Sequence, residues 1–174
     1  MSYASAFTQQ FFKLLGATPS RVPNIEIGSV AYGSLGTSAV HVAGTLYRSE
    51  IELKVGKSIT GIGILNGATA ATDLMIYALY DTNGNPLAWS SLAGTLAAGV
   101  NSFQELALTA VFNAKPGRYF LVVQCNGTTT TTRRIAANTY LRYTSSGVGA
   151  FGTLSTFTPP TTTAADVGPI GYVF

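Results

Sequence analysis

The stretch "LMIYALYDTNGNPLAWSS", residues 74–91, has the pattern of a β-hairpin. In its first part, Leu74 to Tyr80, apolar residues occupy both alternating faces, which is typical of a strand buried on both sides within a sheet. The next residues, Asp81 to Pro86, are of the Asp, Asn, Gly and Pro types that form tight turns. Leu87 to Trp89 then begins a return strand. The stretch therefore predicts a central strand joined to an antiparallel neighbour.

The composition of the whole chain agrees with this hairpin. Apolar residues make up 47% of the 174 residues and charged residues 10%, whereas about 25% of the residues of an average soluble domain are charged. Glycine, threonine and serine are common, while the helix-favouring lysine and glutamate are scarce. We therefore expect an all-β protein with a largely uncharged surface, of a length that suits one ordinary domain.

Alternating and β-branched runs predict the other strands. Residues 50–55, "EIELKV", alternate charged and apolar side chains, so we expect a half-buried strand with Glu50, Glu52 and Lys54 in solvent. The glycines at positions 56, 61 and 63 indicate a turn and a close approach of another backbone. Further predicted strands are Phe103–Phe112, Arg118–Gln124, Arg133–Tyr143 and the final residues 170–174, "IGYVF". About six to eight strands separated by turns predict an antiparallel β-sandwich or jelly roll.

The first residues of the chain have a helical pattern instead. Phe7, Phe11 and Leu14 recur at helical spacing, and the pattern ends at Gly16. A helix this short is marginal alone in water, so its apolar face must pack either on its own domain or on a neighbouring subunit. For the second alternative, the candidate partner-binding residues are Phe7, Phe11, Phe12 and Leu14.

An arm follows this predicted helix. Residues 28–46 are small and polar with little periodicity, which indicates a loop or extended arm that ends in a short strand. We therefore divide the chain into residues 1–43, the N-terminal helix and extended arm, and residues 44–174, the β-sandwich domain.

The charges argue against nucleic acid as a partner. The net charge is +3, and the one basic cluster is Arg133-Arg134 with Arg142 nearby, too small a footprint for binding phosphates. We expect Arg133 and Arg134 to lie at a solvated strand edge or in a subunit contact. The N-terminus has no apolar signal region and no run of about 18 apolar residues occurs, so we expect no membrane span.

No set of residues predicts catalysis, a cofactor or a metal. Residues 147–152, "GVGAFG", match a dinucleotide-binding pattern, but that pattern needs a following helix, and "TLSTFTPPTTT" cannot form one. His41 is the single histidine, so we expect it to be structural or solvent-exposed rather than a base or zinc ligand. Cys125 is the single cysteine and follows an apolar run, which predicts a buried, inert thiol. The sequence thus predicts a protein that is not an enzyme.

Aromatic residues leave one binding alternative open. Trp89, Tyr140 and Tyr143 could form a platform on which sugar rings stack, as in carbohydrate-binding β-sandwich modules. Several tyrosines, however, fall on core-facing strand positions, which favours a structural role for them.

The chain resembles a β-sandwich that recurs in structural proteins of tailed bacteriophages. The similar residues are "TGIGILNG" at 60–67, "ALYDTNGNPLA" at 78–88 and "PGRYFLVVQCNG" at 116–127, within a region of roughly 44–135. The hairpin and "PGRYFLVV" also resemble pieces of secreted bacterial β-sandwich accessory domains, a role that the missing signal sequence disfavours.

The resemblance to phage proteins implies a virion component, made in the cytoplasm of a bacterial host. We expect a capsid decoration or cement protein that binds the major capsid protein and copies of itself, as a homotrimer. The alternative is a tail or tail-fibre module that binds host-surface carbohydrate through Trp89, Tyr140 and Tyr143.

Overall fold

The computed structural model describes residues 21–25, 31–136 and 144–174 of the chain. The described residues form twelve β-strands and one 3-10 helix, Tyr32–Ser34, so the predicted all-β class is confirmed. The strands are β1 (Val22–Pro23), β2 (Thr37–Val40), β3 (Leu46–Leu53), β4 (Lys57–Leu65), β5 (Leu74–Tyr80), β6 (Pro86–Trp89), β7 (Thr95–Leu96), β8 (Phe103–Ala114), β9 (Gly117–Cys125), β10 (Thr131–Arg134), β11 (Thr144–Gly147) and β12 (Gly171–Val173). No helix among these residues has the length and hydropathy needed to cross a lipid bilayer.

The strands form three antiparallel sheets. One has four strands in the order β1-β12-β4-β8, and a second has the order β11-β3-β9-β5-β6, with β7 paired to the start of β5. The third consists of β2 and β10. Strand β5, predicted from the opening hairpin to be central, lies between β9 and β6 as expected.

The two larger sheets share one hydrophobic core. Ile62 and Ile64 of β4 pack in the same cluster as Met75, Tyr77 and Leu79 of β5, and all five are buried. The other face of β5 is also buried, in a smaller cluster that comprises Leu46, Ala78, Tyr80, Phe120 and Val122, with Trp89, Leu154 and Phe157 packed against it. The apolar residues on both faces of the "LMIYALY" run are thus explained by a separate cluster on each side of the sheet.

The hairpin turn has the chemistry that its sequence predicts. The Asp81 carboxylate accepts hydrogen bonds from the backbone N–H groups of Asn83 and Asn85, at 2.9 and 2.8 Å. Gly84 has a φ of 81°, a conformation that glycine adopts without steric cost.

The glycines of β4 make room for aromatic rings rather than for another backbone. A Cβ atom at Gly63 would lie 2.4 Å from the ring of Tyr172, and one at Gly61 would lie 2.1 Å from the ring of Phe174. The close approach predicted from these glycines is therefore real, but its partners are side chains at the end of the chain. The sequence pattern could not distinguish the two because a missing side chain leaves room for either.

Substituting one of these glycines tests the packing. We expect Gly63→Ala to lower the free energy of unfolding by on the order of 1 kcal/mol, because the Tyr172 ring must shift. The Tyr172 hydroxyl donates a hydrogen bond of 2.6 Å to Glu105, which opposes that shift. The control is Gly56→Ala, where the nearest atom would lie 3.4 Å away. Urea unfolding measures both variants, and an equal loss of stability would contradict this packing.

Three charged residues lie elsewhere than the sequence predicts. Arg133 and Arg134 are buried instead of solvated: their strand β10 pairs with β2, and the Asn101 side chain and the Val40 carbonyl accept their hydrogen bonds. Glu50 is buried rather than in solvent, and its carboxylate lies 3.5 Å from the guanidinium of Arg118 on the neighbouring strand β9. Burial of these charges depends on partners that are distant in the sequence.

Several predictions fall outside the described residues. The N-terminal helix with Phe7, Phe11, Phe12 and Leu14 is among them, as are Tyr140, Arg142 and Tyr143. Within the predicted arm, residues 37–40 form β2, which pairs with β10. The boundary between residues 43 and 44 stays a prediction.

Candidate interaction surface

Five connecting segments lie together at one end of the sheets. The antiparallel registers place the starts of β3, β5 and β8 beside the ends of β4, β9 and β11. The segments that meet there are residues 41–45, 66–73, 90–102, 126–130 and 148–152. We call these segments, together with Val40 at the end of β2, the uncharged end.

Exposed aliphatic side chains are concentrated at the uncharged end. Eight large hydrophobic residues are exposed in the described part of the chain, and six of them lie here. They are Val40, Val42, Leu92, Leu96, Val100 and Val148. Val148 is 94% exposed, which is close to the full surface of the side chain. Single exposed apolar residues are ordinary, whereas a group of them on one face indicates a contact surface.

The same segments present no exposed charge. Their only residues with ionisable acidic or basic side chains are His41 and Asp73, and both are buried. The segments 54–56, 81–85 and 115–116 at the opposite end contain Lys54, Asp81 and Lys115. The described domain therefore has one apolar, neutral end and one charged end.

Gln124 holds two segments of the uncharged end in place. Its amide is buried at the end of β9, and Nε2 donates to the carbonyl oxygens of Gly44 at 2.8 Å and Ala150 at 3.0 Å. The Oε1 atom accepts from the N–H of Gly152 at 3.2 Å. One side chain thus satisfies three backbone groups from segments 41–45 and 148–152.

Asp73 holds the segment 126–130 in place. Its Oδ2 atom accepts hydrogen bonds from the N–H groups of Thr129 and Thr130, at 2.7 and 2.6 Å. Burial alone would raise the pKa of Asp73, but the hydrogen bonds from Thr130 and Thr129 outweigh it and hold the pKa below its ordinary value. The carboxylate is therefore ionised at neutral pH and acts as a brace.

A third brace holds the backbone of residues 96–98. Gln104 accepts a hydrogen bond from the N–H of Ala98 at 2.8 Å and donates to the carbonyl of Leu96 at 2.9 Å. Asn66 donates to the carbonyl of Ala98 and, at 3.2 Å, to Gln104. The exposed aliphatic residues are thus carried on segments with many fixed backbone groups, which lowers the entropy that a partner must remove on binding.

A buried polar cluster lies beneath this surface, centred on His41. The imidazole Nε2 lies 2.9 Å from the hydroxyl of Thr132, and the ring packs edge-on against Tyr47 with centroids 4.5 Å apart. The guanidinium of Arg134 lies 3.8 Å from the centre of the Tyr47 ring and donates to the carbonyl of Val40 at 2.7 Å. The cluster therefore ties the end of β2 to β3 and β10.

Burial lowers the pKa of His41 to about 3, and the nearby cation of Arg134 contributes although Asp73 acts in the opposite direction. The imidazole is therefore neutral at pH 7. Its Nδ1 atom is buried and has no hydrogen-bond partner among the described residues. Of the two roles expected for this histidine, the structural one is confirmed.

The other candidate residues are distributed as follows. Trp89 is half-buried in β6 and packs on the smaller core cluster, and its carbonyl accepts a hydrogen bond of 3.1 Å from Thr109. Tyr140 and Tyr143 are outside the described residues, so the platform with Trp89 stays a prediction. Gly147 to Gly152 begins in β11 and continues as an irregular segment without a helix, as expected, and its Gly149 approaches Gly44.

Among the described residues, no three His, Cys, Asp or Glu side chains are grouped closely enough to hold a metal ion. Cys125 is fully buried, as predicted, and burial raises the pKa of its thiol to about 12. The thiol is therefore protonated and unreactive at neutral pH.

No protein-family model matches this chain, and comparison with curated protein sequences finds no match.

Proposed function

We propose that this protein is a structural component of a bacteriophage virion, a decoration or cement protein on the capsid shell. The observation that supports the proposal is the uncharged end, where six exposed aliphatic side chains occur without an exposed charge. Burying such a surface against protein is favourable by roughly 25 cal/mol per Å², before the costs of association are subtracted. Stabilising a shell through subunit contacts needs a surface of this kind and no reacting groups.

The proposed architecture is an antiparallel β-sandwich of the jelly-roll type. Its support is the shared core, in which residues of the four-stranded sheet pack with residues of the larger sheet. Two sheets joined in this way expose their loops at two opposite ends, which suits a module that makes contacts at its ends.

The start of β1 lies away from the uncharged end. Val22 of β1 pairs with Val173, while the other end of β12, at Gly171, lies nearer the uncharged end. Arg21 therefore lies on the side of β1 that points away from the uncharged end. In the proposed arrangement the partners are the major capsid protein and copies of this chain, in a homotrimer, and the N-terminal residues Phe7, Phe11, Phe12 and Leu14 contact a neighbour.

The location in the particle tests the function directly. Gold-labelled antibody against this protein, viewed by electron microscopy on intact virions, should label the head evenly. Removing the protein should then lower the temperature at which heads release their contents. Label confined to the tail would overturn the decoration proposal, and a tail module that binds host-surface glycan through Trp89 would replace it.

A deletion tests the role given to the N-terminal residues. Without residues 1–16, we expect the protein to keep its fold, measured by circular dichroism and urea unfolding, and to lose at least about tenfold in affinity for capsids, since the apolar side chains would no longer be buried there. The matched control is the full-length chain with Gln9→Ala and Gln10→Ala, which keeps the apolar positions. A truncated protein that binds capsids as the full-length chain does would contradict this role.

A further inference from the structure

We infer that the uncharged end is the surface through which copies of this chain contact each other around a rotational symmetry axis. The inference deepens the proposed function by naming the partner at this surface. It identifies the contact residues as Val40, Val42, Leu92, Leu96, Val100 and Val148.

The charge of the chain favours this contact at the uncharged end. The chain carries a net charge of +3, so two copies repel each other at long range. In a contact between identical surfaces, charged side chains of the same sign often face each other, and such pairs are destabilising. The segments of the uncharged end present no exposed Lys, Arg, Asp or Glu, so copies can meet there without that cost. A partner with a strongly charged surface would gain nothing from this end.

Size and shape agree with the same partner. The exposed and half-exposed residues of the five segments are about as many as the roughly 20–30 residues that each partner contributes to a standard protein interface. The residues between the six aliphatic side chains are mainly glycine, alanine and threonine. Their small side chains allow close approach of the two surfaces. Aliphatic side chains need no specific polar partner, so copies can meet through this surface around a threefold axis, as the proposed homotrimer requires.

The segments of the uncharged end are also pre-organised for a contact. Gln124, Asp73 and Gln104 each bond two or more backbone groups of these segments, so the contact side chains stand on a fixed frame. Because little backbone entropy remains to be lost, more of the apolar burial contributes to affinity.

The test compares two double variants of the full chain. Val42→Lys with Val148→Lys places two cations on the uncharged end, and Val55→Lys with Val111→Lys adds the same two cations at exposed valines away from it. All four positions are more than half exposed, with Val42 at 59% and Val55 at 69%, so folding should be unaffected. Circular dichroism and thermal unfolding check this.

Sedimentation velocity measures the assembly state. We expect the unaltered protein and the Val55/Val111 variant to sediment as the same oligomer. The Val42/Val148 variant should dissociate with a dissociation constant raised about 100-fold or more, since like charges would be buried together. An unaltered protein that stays monomeric at high micromolar concentration would overturn the inference, as would equal dissociation of both variants.

Cross-linking gives an independent measurement. Because the Cys125 thiol is buried and its pKa is raised to about 12, an introduced cysteine is the one reactive thiol of the described residues. A bifunctional maleimide should join copies of a Val148→Cys variant and leave a Val55→Cys variant unjoined. Joined Val55→Cys copies without joined Val148→Cys copies would overturn the inference.

The outcomes also separate this inference from the proposed function. Self-association through the uncharged end, together with no labelling of virion heads, would reject the decoration role and support the contact. Even head labelling by a protein that is monomeric in solution, with unaltered capsid binding by the Val42/Val148 variant, would support the role and reject the contact.

Discussion

Replacing Gln124 by leucine should lower the free energy of unfolding by about 2–4 kcal/mol. The change removes the hydrogen-bond partners of the Gly44 and Ala150 carbonyls and of the Gly152 N–H. A backbone group left without a partner in a buried site costs about 1–3 kcal/mol, and the Gly44 carbonyl is bonded in a buried position. Urea unfolding followed by fluorescence measures the loss.

The matched control for this substitution is Gln104→Leu. Gln104 also bonds two backbone groups of one segment, but these bonds are exposed, so water replaces the lost amide. We expect a loss of less than about 1 kcal/mol there. Amide hydrogen exchange should further show faster exchange at Gly152 in the Gln124→Leu variant alone. If the two variants lost the same free energy of unfolding, burial of the Gln124 amide would not contribute to stability.

Acid should destabilise the protein well above the pH at which carboxylates titrate. The pKa of His41 is about 3 in the folded state, against about 6.5 in the unfolded chain, so below pH 6.5 the unfolded state binds a proton that the folded state does not. Stability is therefore lost as the pH falls from about 6.5 toward 3. Between pH 7 and pH 5 the loss from this residue should be about 2 kcal/mol, measured by urea unfolding at each pH.

A His41→Asn variant separates this effect from other acid effects. Asparagine can still bond the Thr132 hydroxyl but does not titrate, so the variant should be less stable at pH 7 and nearly independent of pH between 7 and 5. Asp73 also loses a stabilising charge in acid, but because hydrogen bonds lower its pKa in the folded state, that loss begins only as the pH falls toward the carboxyl pKa of the unfolded chain, about 3.9, outside this window. An unchanged pH slope in the variant would show that His41 is not the titrating group.

The elements that the sequence predicts correctly are those whose cause is local. The run Leu74–Tyr80 has apolar side chains on both faces and is followed by six turn-forming residues, so its central position could be predicted without its partners. The same holds for β9, where the "RYFLVVQ" run is too short for a buried helix and forms a buried strand.

The charged residues show why other predictions failed. Arginine is usually exposed, and Arg133 and Arg134 were expected at a solvated strand edge or in a subunit contact. Arg133 is buried because Asn101 accepts its hydrogen bonds at 2.7 and 3.1 Å, and Arg134 because Tyr47 and Val40 surround its guanidinium. These partners lie 32 or more residues away in the chain, so no local pattern indicates them.

The candidate surface could be found in the sequence only in part. Its segments, such as "SLAGTLAAGVNS", contain aliphatic residues without a neighbouring charge, which is a visible signal for an apolar loop. The five segments meet at one end because of the order of the strands in the sheets, and local sequence patterns do not reveal that order. The residues of the brace formed by Gln124 and Gly44 are 80 positions apart in the chain. In the sequence, Gln124 is one polar residue at the end of a predicted strand, and nothing near it indicates the hydrogen bond to Gly44.

The absence of exposed charge in these segments has a consequence for the conditions under which a contact there would hold. Salt weakens attraction between charged surfaces, with a screening length of about 8 Å at physiological ionic strength. A contact of aliphatic side chains has no such attraction to lose, and salt also screens the long-range repulsion between two copies of net charge +3, so raising the salt concentration should not dissociate it. The apolar driving force is entropic near room temperature and weakens on cooling, so cold rather than salt should loosen the assembly.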